Sequence, residues 1–251
     1  MTLPSSPPIS ASQINVELGR APDAPFSITG AEERALAGVP SGPISFSDFL
    51  ALFTSVAVVG SNAATITIPA DSQAGDLAVM YDFAVSGNPG NAPPTTTPSG
   101  WTLITSNNSG DLRGSIFYKI LTGGDPGANV TGMNGGDINR KVMRVLRGRL
   151  PVSAVTTGGW DQNITVTANS PGNINVPASG GSTPLVILGF GASRGTVSTF
   201  SSSPAFDSSN AASATRTGYK SYKGTASNHT VSMTQAGDRN GLAAGYFQIS
   251  F

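Results

Sequence analysis

The sequence predicts a mainly β fold, a β-sandwich or jelly roll, entered through a short arm that is part extended and part helical. Three observations predict it. Strand-like segments recur at intervals of about ten residues with Gly, Pro, Asn and Asp in the gaps, the spacing of a sandwich or jelly roll. Thirty-one Gly and 18 Pro supply the tight turns that such a fold needs. The formal charge is zero, and dense apolar runs such as Leu77–Tyr81 and Pro184–Leu188 set the chain apart from disordered sequences, which combine high charge with few apolar runs. At 251 residues the chain can bury a sizeable core.

Residues 1–55 form the expected arm, and they contain a short repeat. Pro8-Ile9-Ser10-Ala11-Ser12-Gln13-Ile14 recurs as Pro43-Ile44-Ser45-Phe46-Ser47-Asp48-Phe49. Each copy reads as an extended Pro-Ile-Ser lead-in followed by a Ser able to cap a short helix. The first helix is expected over about 13–18, stopping at Gly19. The second is expected to start near Asp48 and to carry Phe49, Leu50, Leu52 and Phe53. Between them, Ala31–Ala37 suits a third, ending at Gly38. Helices this short are unstable alone because nucleation is costly, so the segment needs something to lie on. That support is either its own β region or a partner protein.

From Val56 onward, strands are expected near 56–59, 63–68, 77–85, 101–105, 114–121, 128–132, 140–147 and 152–157. Others are expected near 164–168, 173–176, 184–193, 214–222, 229–233 and 242–251. Near-continuous apolar runs at 77–81 and 185–188 read as central strands covered on both faces. The region also echoes itself. Ile66-Thr67-Ile68-Pro69 returns as Ile174-Asn175-Val176-Pro177, and Gly114–Lys119 as Gly218–Lys223. Asn129-Val130-Thr131 pairs with Thr230-Val231-Ser232, and 140–147 with 242–251. Two similar halves, about 56–150 and 151–251, follow. They form either one duplicated sandwich or two in tandem, and the missing linker between Gly148 and Ile174 favours one body.

Composition narrows the chemistry. Lys plus Arg and Asp plus Glu balance at 14 each, which leaves little basic surface for phosphates, so nucleic acid is not an expected partner. The densest basic stretch, Arg140, Lys141, Arg144, Arg147 and Arg149, reads as a solvated or interface-facing side of a strand. With no Cys there is neither a disulfide framework nor a thiolate metal site. No signal-peptide pattern and no transmembrane-length apolar stretch are seen, so synthesis in a cytoplasm and no membrane insertion are expected.

The lone His229 lies in an alternating strand and reads as structural or solvent-facing. A polysaccharide-degrading enzyme would need two carboxylates. The candidates are Asp76, Asp82, Asp111, Asp125, Asp137, Asp161, Asp207 and Asp238, most of them beside Gly in turns, and residues 34–251 hold no Glu. Turn chemistry accounts for them, and neither a catalytic site, a metal nor a cofactor is expected. Trp101, after Pro98-Ser99-Gly100, reads as a core-sealing side chain. Trp160, in Gly158-Gly159-Trp160-Asp161-Gln162-Asn163, reads as a polar-loop aromatic able to stack on a sugar. Tyr219 and Tyr222, beside Lys220 and Lys223, are weaker candidates of the same kind.

The paired arm motif resembles the N-terminal segment of tailed-bacteriophage virion structural proteins of the tail, baseplate or fibre type. The matching stretches are Ile9–Arg20 and Ala35–Phe49. The β region resembles a jelly-roll-like phage module through Gly75-Asp76-Leu77, Pro98–Leu103, Tyr118-Lys119 and Arg144–Gly148. Where that family has a Gly-containing turn after the second copy, this chain has Leu50-Ala51-Leu52-Phe53. The resemblance implies a non-enzymatic structural protein of the virion surface. Its arm would dock on other virion proteins through Ile9, Ser10, Ser12, Ile14, Val16, Leu18, Ile44, Ser45, Phe46, Ser47 and Phe49. The resemblance implies a β body that serves adhesion or decoration on the particle surface, and it implies no ligand. The tail-adhesin reading adds a homotrimer and a host-surface glycan as expected partners; a head decoration protein or head fibre is the alternative.

Overall fold

The computed structural model describes residues 9–37, 44, 52–148, 150–166, 172–177, 183–212, 214–223, 226–236 and 238–251. In the arm, α1 spans Ala11–Glu17 and α2 spans Ala31–Ala37. α1 starts two residues before the expected Gln13, because Ser10 is the cap. The Ser10 hydroxyl accepts from the Gln13 amide, and the Gln13 side chain accepts from the Ser10 amide, a reciprocal capping box. Gly19, at φ 73°, follows the helix as expected. Ile14 and Ala37 are buried together, with Ile9, Leu18, Phe26, Ile28 and Ile44 packed around them. Both Pro-Ile-Ser copies thus place their Ile in one cluster. Arg20 ties the loop between the helices to α2 through ion pairs with Glu32 and Glu33.

The expected helix from Asp48 is corrected at its end. Residues 45–51 lie outside the described residues, but Phe53 opens a strand, and Leu52 and Phe53 are both buried in the β core. Their apolar side chains serve the sandwich, not a helix face.

The first half of the β body contains β1 (Phe53–Ser61), β2 (Ile66–Thr67), β3 (Leu77–Val85), β4 (Thr102–Ser109), β5 (Leu112–Ile120), β6 (Asn129–Val130) and β7 (Ile138–Gly148). The second contains β8 (Ala154–Thr165), β9 (Gly172–Val176), β10 (Leu185–Ser193), β11 (Thr196–Ser203), β12 (Ser208–Ala212), β13 (Thr215–Tyr222), β14 (His229–Ala236) and β15 (Asn240–Ser250). β3, β5, β7 and β15 fall close to their expected places. β11 and β12 have no counterpart among the expected strands: both are Ser-rich edge strands whose mostly exposed side chains carry no apolar alternation.

Pairing is antiparallel throughout. One five-stranded sheet runs β1-β7-β3-β5-β4, and the other, read from its β8 edge, runs β8-β15-β10-β13-β12. The sequence echoes match β2 with β9, β5 with β13, β6 with β14 and β7 with β15, and the apolar strands that follow the first echo, β3 and β10, correspond by position. Under that matching the two large sheets share one strand order. The small sheets correspond too, β2-β6 against β9-β14, with β11 added to the second.

The layers follow from strand alternation. In β3, Leu77, Val79, Tyr81 and Phe83 face the second large sheet. There they share one core with Val186, Leu188, Phe190 and Ala192 of β10. Ala78 and Met80 face the other way, under Ile66, Ile68 and Trp101. Likewise Leu185 and Ile187 face Ile174, Val176, Val231 and Met233. The body is therefore four layers deep, small sheet, large, large, small. β3 and β10 are buried along their whole length, which explains their unbroken apolar runs. Trp101 seals the outer core of the first half, as expected.

Candidate functional site

The residues expected to meet a ligand are turned inward. Trp160 lies in β8, not in a loop. Gly159 (φ 59°) and Trp160 stand opposite the single residue Gly245, a β-bulge that rotates the indole toward the core. Its ring covers Gly245, where any Cβ would lie 2.3 Å from it. It stacks on Phe190 at 6.5 Å and meets Phe247 edge-on at 5.4 Å. The indole N–H donates to the Tyr246 carbonyl at 3.0 Å. Trp160→Ala is therefore expected to cost on the order of 2 kcal/mol, less than for a fully buried Trp because the ring is only half-buried. Urea unfolding checks this; an unchanged midpoint would remove the ring from the core.

Tyr219 is buried between the large sheets, donates to the Phe53 carbonyl at 3.3 Å, and lies under the Arg144 guanidinium. Half-buried Tyr222 shares a hydrogen bond of 2.5 Å with Nε2 of His229. The three aromatics do not converge on a common surface. The Gly and polar neighbours of Trp160 suggest an exposed loop in the sequence, but a bulged edge strand carries the same composition.

Of the docking residues, Ile9, Ile14, Leu18 and Ile44 point into the arm's own cluster. Ser10 and Ser12 are exposed and Val16 is half-buried. Ser45, Phe46, Ser47 and Phe49 lie outside the described residues. Glu17, at the end of α1, lies near enough to the β body for the charges of Lys220 and Asp207 to act on its carboxyl.

The basic stretch on β7 is not a solvated face. Its residues alternate between the two sides of the sheet, with Lys141 and Arg144 fully buried and Arg140 and Arg147 half-buried. Arg147 clamps the Asp76 carboxylate with two bonds, at 3.0 and 2.9 Å. Arg140 crosses to the second half, donating to the Ser193 and Arg194 carbonyls at 3.2 Å each. Arg144 is fully buried at the seam of the large sheets. Lys141 is fully buried on the outer side, against Asp82. Arg149 is outside the described residues.

The carboxylates are similarly engaged. Asp111 accepts from Arg239, Asp125 from Lys119 and Asp207 from Lys220. Asp76 and Asp125 also accept backbone N–H groups of their own turns, from Gln73 and Thr122. Such pairing orders turns and leaves these groups little freedom for proton transfer. Among the described residues no cluster of three His, Cys, Asp or Glu is placed to hold a metal ion, and no helix is long and apolar enough to cross a membrane.

The most concentrated buried polar constellation surrounds Asp82 and Lys141, on the outer face of the first large sheet. The two are directly opposed in register across β3 and β7. Lys141 Nζ lies 2.6 Å from Asp82 Oδ1, and both side chains are 0% exposed. The Asn134 amide donates to Asp82 Oδ2 at 2.9 Å. The Asn134 side chain is fixed in turn, donating to Ser115 Oγ and accepting from the Thr96 amide, both at 2.9 Å. Burial raises the Asp82 carboxyl above the ordinary range, with Lys141 pulling the other way. No sequence signal singles out this pair, because Asp82 sits in an apolar strand and Lys141 in a basic run, with nothing local to link them. Comparison of the chain with family models, with curated proteins and with solved structures finds no match.

Proposed function

We propose that the chain is a non-enzymatic structural protein of a tailed-phage particle, a tail- or baseplate-associated fibre or adhesin. It docks by its N-terminal arm and presents the β body to the host surface, as a homotrimer in contact with surface glycan. The observation that carries this reading is the arm's construction. Ile9, Ile14, Leu18, Phe26, Ile28, Ala37 and Ile44 form an apolar cluster that holds the Ile of both Pro-Ile-Ser copies, which supports an arm that folds as a module appended to the sandwich. Its exposed Ser10 and Ser12 and half-buried Val16 remain for a partner. The engagement of the β-body carboxylates in ion pairs and turns further supports a structural role over a hydrolytic one.

Deleting residues 1–44 is expected to abolish incorporation into particles and to leave the β body folded, since β1 and its core residues Leu52 and Phe53 are retained. Incorporation of the truncated chain at the full-length level would end the docking reading. Gold-labelled antibody on intact particles separates the two virion placements. Label at the tail tip supports the adhesin; label over the head makes the chain a decoration protein.

A further inference from the structure

We propose that Lys141 and Asp82 condense into an intramolecular isopeptide bond, a covalent amide tie between the central strands β7 and β3. Three features of the geometry converge on that chemistry. The amine and carboxyl face each other in register at 2.6 Å, one hydrogen-bond length apart, so their encounter is already unimolecular. Neither side chain is exposed, and Met80 and Met143 flank them along the same faces of the same strands. Two buried charges there forgo hydration, which a neutral amide does not need. The Asn134 N–H, 2.9 Å from Asp82 Oδ2 and held by Ser115 and Thr96, is a fixed donor where negative charge develops during attack on the carboxyl carbon.

The step balances without any co-reactant. A proton passes from the Lys141 ammonium to Asp82 Oδ1, leaving a neutral amine and a neutral acid. Burial of the carboxyl favours that form. The Nζ lone pair attacks Cγ, and the C=O electron pair moves onto Oδ2 against the Asn134 N–H. The intermediate re-forms C=O, the bond from Cγ to Oδ1 breaks, and Oδ1 departs as water with a proton from Nζ. One C–N bond replaces one C–O bond, and no redox change occurs.

The consequence is mechanical. The tie closes a loop between residues 59 apart in a chain that has no cysteine for a disulfide.

Denatured full-length protein, purified after complete folding, is expected to weigh one water less than its sequence. Peptide mapping is expected to recover a branched peptide joining the Asp82 and Lys141 segments, with trypsin failing to cut after Lys141. Lys141→Arg and Asp82→Ala each restore the full mass, and wild type runs ahead of Lys141→Arg on a denaturing gel. Wild-type protein at its full sequence mass overturns the proposal, as does a water loss mapped to any other pair. If either variant fails to fold, the wild-type mass and peptide map still decide.

Discussion

Arg144→Ala is expected to remove about 4 kcal/mol of stability, near the top of the range for a single side chain, because it combines a cavity with several orphaned acceptors. The guanidinium is fully buried at the seam of the two large sheets. It donates to Thr217 Oγ1 at 3.3 Å and the Thr217 carbonyl at 3.0 Å, and to Ser55 Oγ and Asn210 Oδ1 at 2.9 Å each. Its remaining face lies over the Tyr219 ring, 5.1 Å from the centroid. These partners are neutral. Burial lowers its pKa to about 10, so the group stays charged at neutral pH. One planar fork thus joins β7 and β1 of the first half to β13 and β12 of the second. Arg144→Met fills much of the volume but leaves the acceptors bare, so about 2 kcal/mol is expected. Arg144→Lys should fall between these two, since a point donor cannot reach three elements at once. Chemical denaturation orders the series. If Ala and Met behave alike and both cost under about 1 kcal/mol, the seam is held by apolar packing alone.

Much of this architecture is legible in the sequence, for a physical reason that also marks where legibility stops. Strands buried on both faces are apolar at nearly every position, so Leu77–Val85, interrupted only by Asp82, and Leu185–Ala192 announce themselves. The echo between Ile66-Thr67-Ile68-Pro69 and Ile174-Asn175-Val176-Pro177 identifies the matching small-sheet strands, because both halves bury the same alternate residues. Edge strands obey no such constraint. The sequence pattern divides β8 into two strands around Gly158–Asn163, since a bulged edge with one wet face has the composition of a loop. β11 and β12 escape the pattern on the same ground.

The candidate sites are less legible than the fold. Whether a Trp, Tyr or Arg points in or out depends on register, and a single bulge residue reverses it for Trp160. The β7 run shows the same limit in another form. Val142, Arg144 and Leu146 face the inter-sheet seam, while Lys141, Met143 and Val145 face the outer core. Four of the basic residues close together in sequence, Arg140, Lys141, Arg144 and Arg147, are therefore divided between different environments. Only the partner strands determine which charge is paired with a carboxylate and which with neutral acceptors.

Acid is expected to destabilise the fold through His229. The imidazole is fully buried under the second small sheet, with Nε2 bonded to Tyr222 and no partner for Nδ1 among the described residues. Burial, reinforced by the Lys220 charge and partly opposed by Asp207, lowers its pKa from 6.5 to about 4. A base whose folded pKa is depressed gives its full contribution above the unfolded value. As pH falls below about 6.5 the unfolded chain takes up the proton first. Stability drops until the folded state also protonates near pH 4, a total of about 3 kcal/mol at 1.36 kcal/mol per pKa unit. His229→Gln keeps a side-chain acceptor for the Tyr222 hydroxyl but cannot ionise. Urea unfolding of both proteins across this window cancels the background carboxylate titrations. The gap between wild type and His229→Gln should shift against wild type by about that amount between pH 7 and pH 4. A gap that stays constant would mean that the ring reaches solvent readily enough to titrate alike in both states, and that the β9-β14-β11 layer opens locally at a cost well below global unfolding.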